Sequence, residues 1–180
     1  MQNDFSLANN MSGLPIPPHS AAVMTSQWSE LAQPGTWFTG EQRVAIANTA
    51  RAAKRKLAPP ASECLDPATS RAAVAVAVNA AAIDRTGVAT FTDEGLDPLA
   101  YVELVGIVAR TTAIDTAAIG LRVDLFPFPR GDSGQPSHAT TPGAKTRSAW
   151  VPMVGGAGAT TALSAVDAEN RSQEELHGAL

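Results

Sequence analysis

Between residues 20 and 123, apolar side chains recur at three- and four-residue spacing, the pattern of helices that bury one face. Val23, Met24, Trp28 and Leu31 predict a first helix from Ala21 to about Gln33, stopped by Pro34-Gly35. Thr39 and Gln42 predict a capping box, in which each side chain takes up a backbone N–H left free at a helix start. The helix it opens runs from Gly40 to about Leu57. Asp66-Pro67 is a second start signal: the aspartate caps free N–H groups, and proline at the first helical position gives up a donor that has no helical partner there. In the body of that element Val74, Val76 and Val78 alternate as in a strand, but alanine stands between them. Alanine is the strongest helix former, so the expectation is helix to about Arg85. Asp97-Pro98 repeats the start signal, and no stop appears until Gly120, with Gly106 tolerated inside. The stretch YVELVGIVARTTAIDTAAIGLR, residues 101 to 122, is mostly one long helix or two joined by a slight break. It is apolar on nearly every face, as a helix buried all round would be.

The two ends of the chain follow another pattern. Residues 1–19 lack helical periodicity and carry LPIPPH, which predicts an extended arm. From Asp124 to Gly158 the composition shifts to Pro, Gly, Ser and Thr, which predicts a long loop or linker that cannot order itself alone. Within it the island SAWVPMV, with Trp150, is suited to anchor on the core or on a partner. A weak helix is expected around residues 167 to 177. The expected organisation is an arm at 1–19, a helical domain at 20–123, and a Pro/Gly-rich linker with a weakly structured tail at 124–180. The fold class is all-α, with four or five helices and essentially no sheet. An aromatic content of 5% favours close-packed helices with small side chains over a β-sandwich.

A length of 180 residues is enough for one domain with a real core. Thirteen basic against seventeen acidic residues leave a net charge of −4, so no general field draws the chain to nucleic acid or an anionic membrane. The cluster Arg51, Lys54, Arg55 and Lys56 reads as cations complementing a helix C-terminus. The single cysteine, Cys64, excludes an internal disulfide framework, and with three scattered histidines no zinc site is recognisable. No cofactor is indicated. The start MQNDFSLANN is not a secretory signal, and the apolar run at 72 to 83 falls well short of the about 20 residues a membrane helix needs, so a cytoplasmic chain is expected.

Glu103 is the position with most chemical interest. On a helix its neighbours three and four residues away are Leu99, Ala100, Gly106 and Ile107, so its carboxylate meets an apolar surface. Desolvation there raises a carboxyl pKa toward the range useful for proton transfer. The competing reading is a structural ion pair with an arginine such as Arg110. Cys64 precedes a predicted helix start, which favours a thiolate, but Glu63 and Asp66 oppose it and no second cysteine can resolve a sulfenic acid. It reads as an inert thiol. His19, His138 and His177 fall in the arm, the loop and the tail and read as solvated.

The phrases TWFTGEQRVAIANTARAA and YVELVGIVA, with Glu103, Asp115, Ala118 and Arg122 spaced as Glu-x11-Cys-x2-Cys-x3-His, give a chain that resembles the alkylhydroperoxidase D and carboxymuconolactone decarboxylase superfamily. The resemblance covers roughly residues 30 to 154 and is closest to the first half of two-unit members. It implies a helical bundle in which Glu and His relay protons to a pair of cysteines. Here Glu103 alone keeps the motif residue. Asp115 and Ala118 stand at the cysteine positions and Arg122 at the histidine position, so thiol peroxidase chemistry cannot operate there. The catalytic candidates are Glu103, with Asp115 and Arg122, which are seven residues apart on one helical face and expected to form a salt bridge. The leading expectation is a unit without its redox centre, acting as a structural or oligomerisation half, with a second copy or a separate cysteine-bearing half as partner. The alternatives are a decarboxylase or isomerase using Glu103 on a small organic acid held by Arg110 or Arg122, and a ligand-binding helical module without turnover.

Overall fold

The computed structural model describes residues 16–146, 150–155 and 162–180. Its helices are α1 (Pro18–Glu30), α2 (Gly40–Lys54), α3 (Pro67–Asn79), α4 (Arg85–Asp93), α5 (Pro98–Gly120) and α6 (Asp167–Ala179). The one sheet among the described residues is a two-residue antiparallel pair, β1 (Lys145–Thr146) with β2 (Pro152–Met153). The fold is all-α, as the periodicity of the chain predicts. No helix among the described residues is long and apolar enough to cross a membrane.

The start signals act as their chemistry requires. Thr39 Oγ1 accepts from the Gln42 N–H at 3.2 Å while Gln42 Oε1 accepts from the Thr39 N–H at 3.0 Å. Asp66 accepts from the Thr69 N–H at 2.8 Å, and Asp97 from the Leu99 N–H at 2.7 Å. α5 is one uninterrupted helix at the centre, packed against α2, α3 and α6 and more lightly against α1. Leu104, Ile107 and Ile114 are wholly buried on it. Each such side chain contributes about 1.5–3 kcal/mol of burial.

The structure departs from the sequence reading in four places. The helix begun at Asp66 leaves helical geometry at Asn79 (φ −155°, ψ 66°), six residues short of Arg85, and continues as a 3-10 turn at Ala80–Ala82. α4 was not anticipated; Asp84 caps it by accepting from the Gly87 N–H at 2.9 Å. Residues 1–15 of the expected arm lie outside the described residues, and its last two positions, Pro18 and His19, open α1. The tail is not weakly structured either, since α6 packs against α5 and α1 with Leu176 and Ala179 buried.

Among its described residues the stretch between α5 and α6 has almost no regular structure, yet the core orders part of it. Phe128 stacks on Trp28 at 5.2 Å between centroids, Phe126 meets the same ring edge-on at 6.1 Å, and the Trp28 indole N–H donates to the Pro127 carbonyl at 2.9 Å. The backbone N–H groups of Asp132 and His138 donate to the carbonyls of Ala32 and Thr36 at 2.7 and 2.8 Å. The SAWVPMV island is described from Trp150 onward, and Val151 and Met153 are buried against the core as an anchor would be.

Candidate functional site

Glu103 has 0% exposure. Its Oε1 accepts from Arg43 Nη1 at 2.5 Å, and its Oε2 accepts from the backbone N–H of Trp37 at 2.5 Å. Arg43, from α2, also donates from Nη1 to Glu169 Oε1 at 2.9 Å, and Arg110, about two turns further along the same face of α5, donates from Nη2 to Glu169 Oε2 at 2.9 Å. The result is an alternating row, Glu103–Arg43–Glu169–Arg110, drawn from α2, α5 and α6. Two negative and two positive charges balance in the interior, the condition under which burying them is tolerable.

The local sequence makes room for this row. A Cβ on Gly35 would collide with the Glu103 carboxylate and the Arg43 guanidinium, and one on Gly106 would lie 2.6 Å from Glu169 Oε2. Polar neighbours extend the row: Gln27 Nε2 donates to Glu175 Oε2 at 2.8 Å, and the Ser172 hydroxyl donates to Gln27 Oε1. Burial pushes the Glu103 carboxyl above its ordinary value, with Glu169 adding to the push and Arg43 and the Trp37 N–H opposing it. For Arg43 burial works toward deprotonation, but Glu169 and Glu103 together outweigh it and raise its pKa. Arg110, desolvated and near Arg43, is shifted down despite Glu169.

The motif positions do not converge. Asp115 is 12 residues beyond Glu103 on one unbroken helix, which separates them by ~18 Å along the axis, far beyond a direct proton transfer. Asp115 does not pair with Arg122; Arg51 of α2 holds it through Nε at 2.8 Å and Nη2 at 2.6 Å. Arg122 is exposed just past the end of α5 with φ +55°. Ala118 is buried. Arg110, offered as the ion-pair partner of Glu103, pairs with Glu169 instead. The residues the sequence reading lacked are Arg43 and Glu169. Arg43 was detectable, since it precedes Ile46, Ala47 and Ala50 by three, four and seven residues and so shares their buried face. Glu169 sits on a mostly polar helix and carries a weaker signal, with Leu176 seven residues on as the apolar residue of its face.

The other candidates stay apart. Cys64 is half-buried, with its sulfur 3.1 Å from the Ser62 hydroxyl. His19, His138 and His177 are exposed, and His138 meets Trp37 edge-on at 5.0 Å between centroids. Among the described residues no group of three or more His, Cys, Asp or Glu is arranged to hold a metal ion. Of the basic cluster, Arg51 lies inward between Asp115 and the rings of Trp28 and Phe128, while Lys54, Arg55 and Lys56 are exposed.

The open space is elsewhere. A groove of about 730 Å³ runs between α3 and α5, lined by Val76, Val105, Val108, Ala109, Thr112 and Thr116 among others, with Lys54 as its one charged lining residue. A smaller pocket of about 190 Å³ shares Val76, Ala80 and Val105 with it and reaches Trp150 and Leu163. Compared with known proteins, the sequence matches no family model and no curated protein, and the structure matches no solved structure.

Proposed function

We propose that the chain is a non-catalytic pairing unit, the half without the paired redox cysteines implied by its resemblance to the alkylhydroperoxidase D superfamily, and that it associates with a second copy of itself through the α3/α5 groove. The observation that carries this reading is the state of Glu103. The one carboxylate suited to proton transfer is closed to solvent and bound to Arg43 and the Trp37 N–H, so a small organic acid has no route to it in this conformation. The same enclosure counts against a ligand module built around Glu103.

The groove supports the pairing half of the proposal. Ala109, Thr112, Ala113 and Thr116 form a stripe of small residues on α5, which lets two helix axes approach to about 8 Å. A two-fold axis allows such a stripe to meet its own copy. Val78 and Ile119, 59% and 65% exposed, add apolar surface on α3 and α5.

Sedimentation of the purified chain at micromolar concentration tests the reading. Wild type is expected to run without appreciable monomer. Thr116→Arg and Val105→Arg, at the groove, are expected to yield a monomer with unchanged helical circular dichroism. Leu104 is unsuited to the test, because it lies in the core and a charge there unfolds the unit. A wild-type chain that sediments as a compact, cooperatively unfolding monomer overturns the pairing unit.

A further inference from the structure

The docking of α6 is chemically unusual. Its buried face holds the polar Glu169 and Ser172 as well as the apolar Leu176 and Ala179. Most of the bonds that fix the helix are polar: Gln27 to Glu175, Ser172 to Gln27, and the Ser20 hydroxyl to the Ala179 carbonyl at 2.5 Å. The carboxylate of Glu169 reaches past these into the bundle. There its two oxygens are taken by guanidinium groups from different helices, Arg43 of α2 and Arg110 of α5, each at 2.9 Å.

Those two arginines form the site; Glu169 only occupies it. Both are at least 95% buried, and each keeps an Nε–H with no acceptor. Beyond Glu169, Arg110 has the Gln27 carbonyl at 3.4 Å, a marginal bond, and Arg43 has Glu103. Without Glu169, two buried cations would face one carboxylate. The surface of α5 is hollow at this point, because at Gly106 even a Cβ would press on the Glu169 side chain at 2.6 to 2.9 Å. One negative charge spread over two oxygens, on a narrow stem, satisfies both donors.

We propose that Arg43 and Arg110 constitute a receptor for a small monocarboxylate, filled in cis by Glu169, so that α6 is a plug carrying its own ligand. The site lies on the inward side of α5 and does not depend on the pairing groove.

The full-length Glu169→Ala variant tests this with acetate, whose atoms are those the substitution removes. Thermal unfolding is followed during titration with sodium acetate and, in parallel, with sodium chloride at equal ionic strength. The expected result is a lowered Tm that acetate restores saturably, half-maximally at about 0.1–100 mM as befits a ligand of four heavy atoms, while chloride does not and wild type responds alike to both salts. Coincident acetate and chloride curves for the variant overturn the proposal, as does an equal acetate response in wild type. Should the variant not fold in chloride, it is refolded from urea in each salt. Recovery of helical circular dichroism in acetate alone supports the receptor, and failure in both overturns it.

Discussion

One side of α5 carries Glu103, Gly106 and Arg110 and faces α2, α6 and the chain around Trp37; the other carries Val105, Ala109, Thr112 and Thr116 and borders an open groove. The charges are inside and the apolar stripe is outside, the reverse of an ordinary surface helix. The inner side is costly to assemble, since each ion surrenders its water, and it holds because every charge meets an opposite one at 2.5 to 2.9 Å. The outer side has no such requirement, since no ion is buried there. The difference teaches that such a row is weak evidence of stability but a constraint on how α2, α5 and α6 meet, since a register that parts a glutamate from its arginine leaves a buried charge alone.

The comparison breaks most visibly at Arg43, the one residue bonded to both glutamates. Arg43→Met leaves Glu103 and Glu169 buried with Arg110 alone to balance them, and is expected to cost about 3–5 kcal/mol in urea unfolding. A loss below about 1 kcal/mol would mean that water reaches the row. Gly106→Ala has a smaller expected effect. Alanine is the better helix former by about 1 kcal/mol, yet the added methyl meets Glu169 Cβ at 2.8 Å and Cγ at 2.9 Å, so a net loss of about 1–3 kcal/mol is expected, concentrated in amide-exchange protection of α6. A gain in stability would show that α6 yields at no cost.

How far the sequence exposes these two sides differs for physical reasons. The helices α2, α3 and α5 were legible because their starts are set locally, by Thr39-Gln42, Asp66-Pro67 and Asp97-Pro98, within a few residues of the bonds they make. The lone carboxylate at 103 was legible as an anomaly, but its partners were not. Arg43 and Glu169 lie 60 and 66 positions away along the chain, and on its polar helix Glu169 is marked only by Leu176 seven residues on. α4 was missed because its cap, Asp84, follows the alanine-rich run whose helix was expected to continue to about Arg85. Ordering of part of the 124–146 stretch was illegible for the opposite reason: it depends on Trp28 and on the Ala32 and Thr36 carbonyls far upstream, not on the composition of the stretch itself.

The smallest expected effect, and the sharpest test of the inward side, is a change in pH slope. Burial holds the Glu103 carboxyl above its ordinary 4.5, with Arg43 and the Trp37 N–H opposing and Glu169 reinforcing the shift. A carboxyl with a raised folded pKa binds more protons in the native state than in the unfolded one. Its contribution is therefore fully present below the unfolded value and is lost as pH rises through the folded one. The arginines stay charged across this window. Wild type and Glu103→Gln are compared by urea unfolding from pH 4 to pH 8. The stability advantage of wild type is expected to be largest at pH 4 and to shrink steadily above 4.5, whereas Val105→Arg, on the groove side of the same helix, is expected to leave the wild-type slope unchanged. An advantage that instead grows with pH would show that the attraction of Arg43 outweighs desolvation at Glu103.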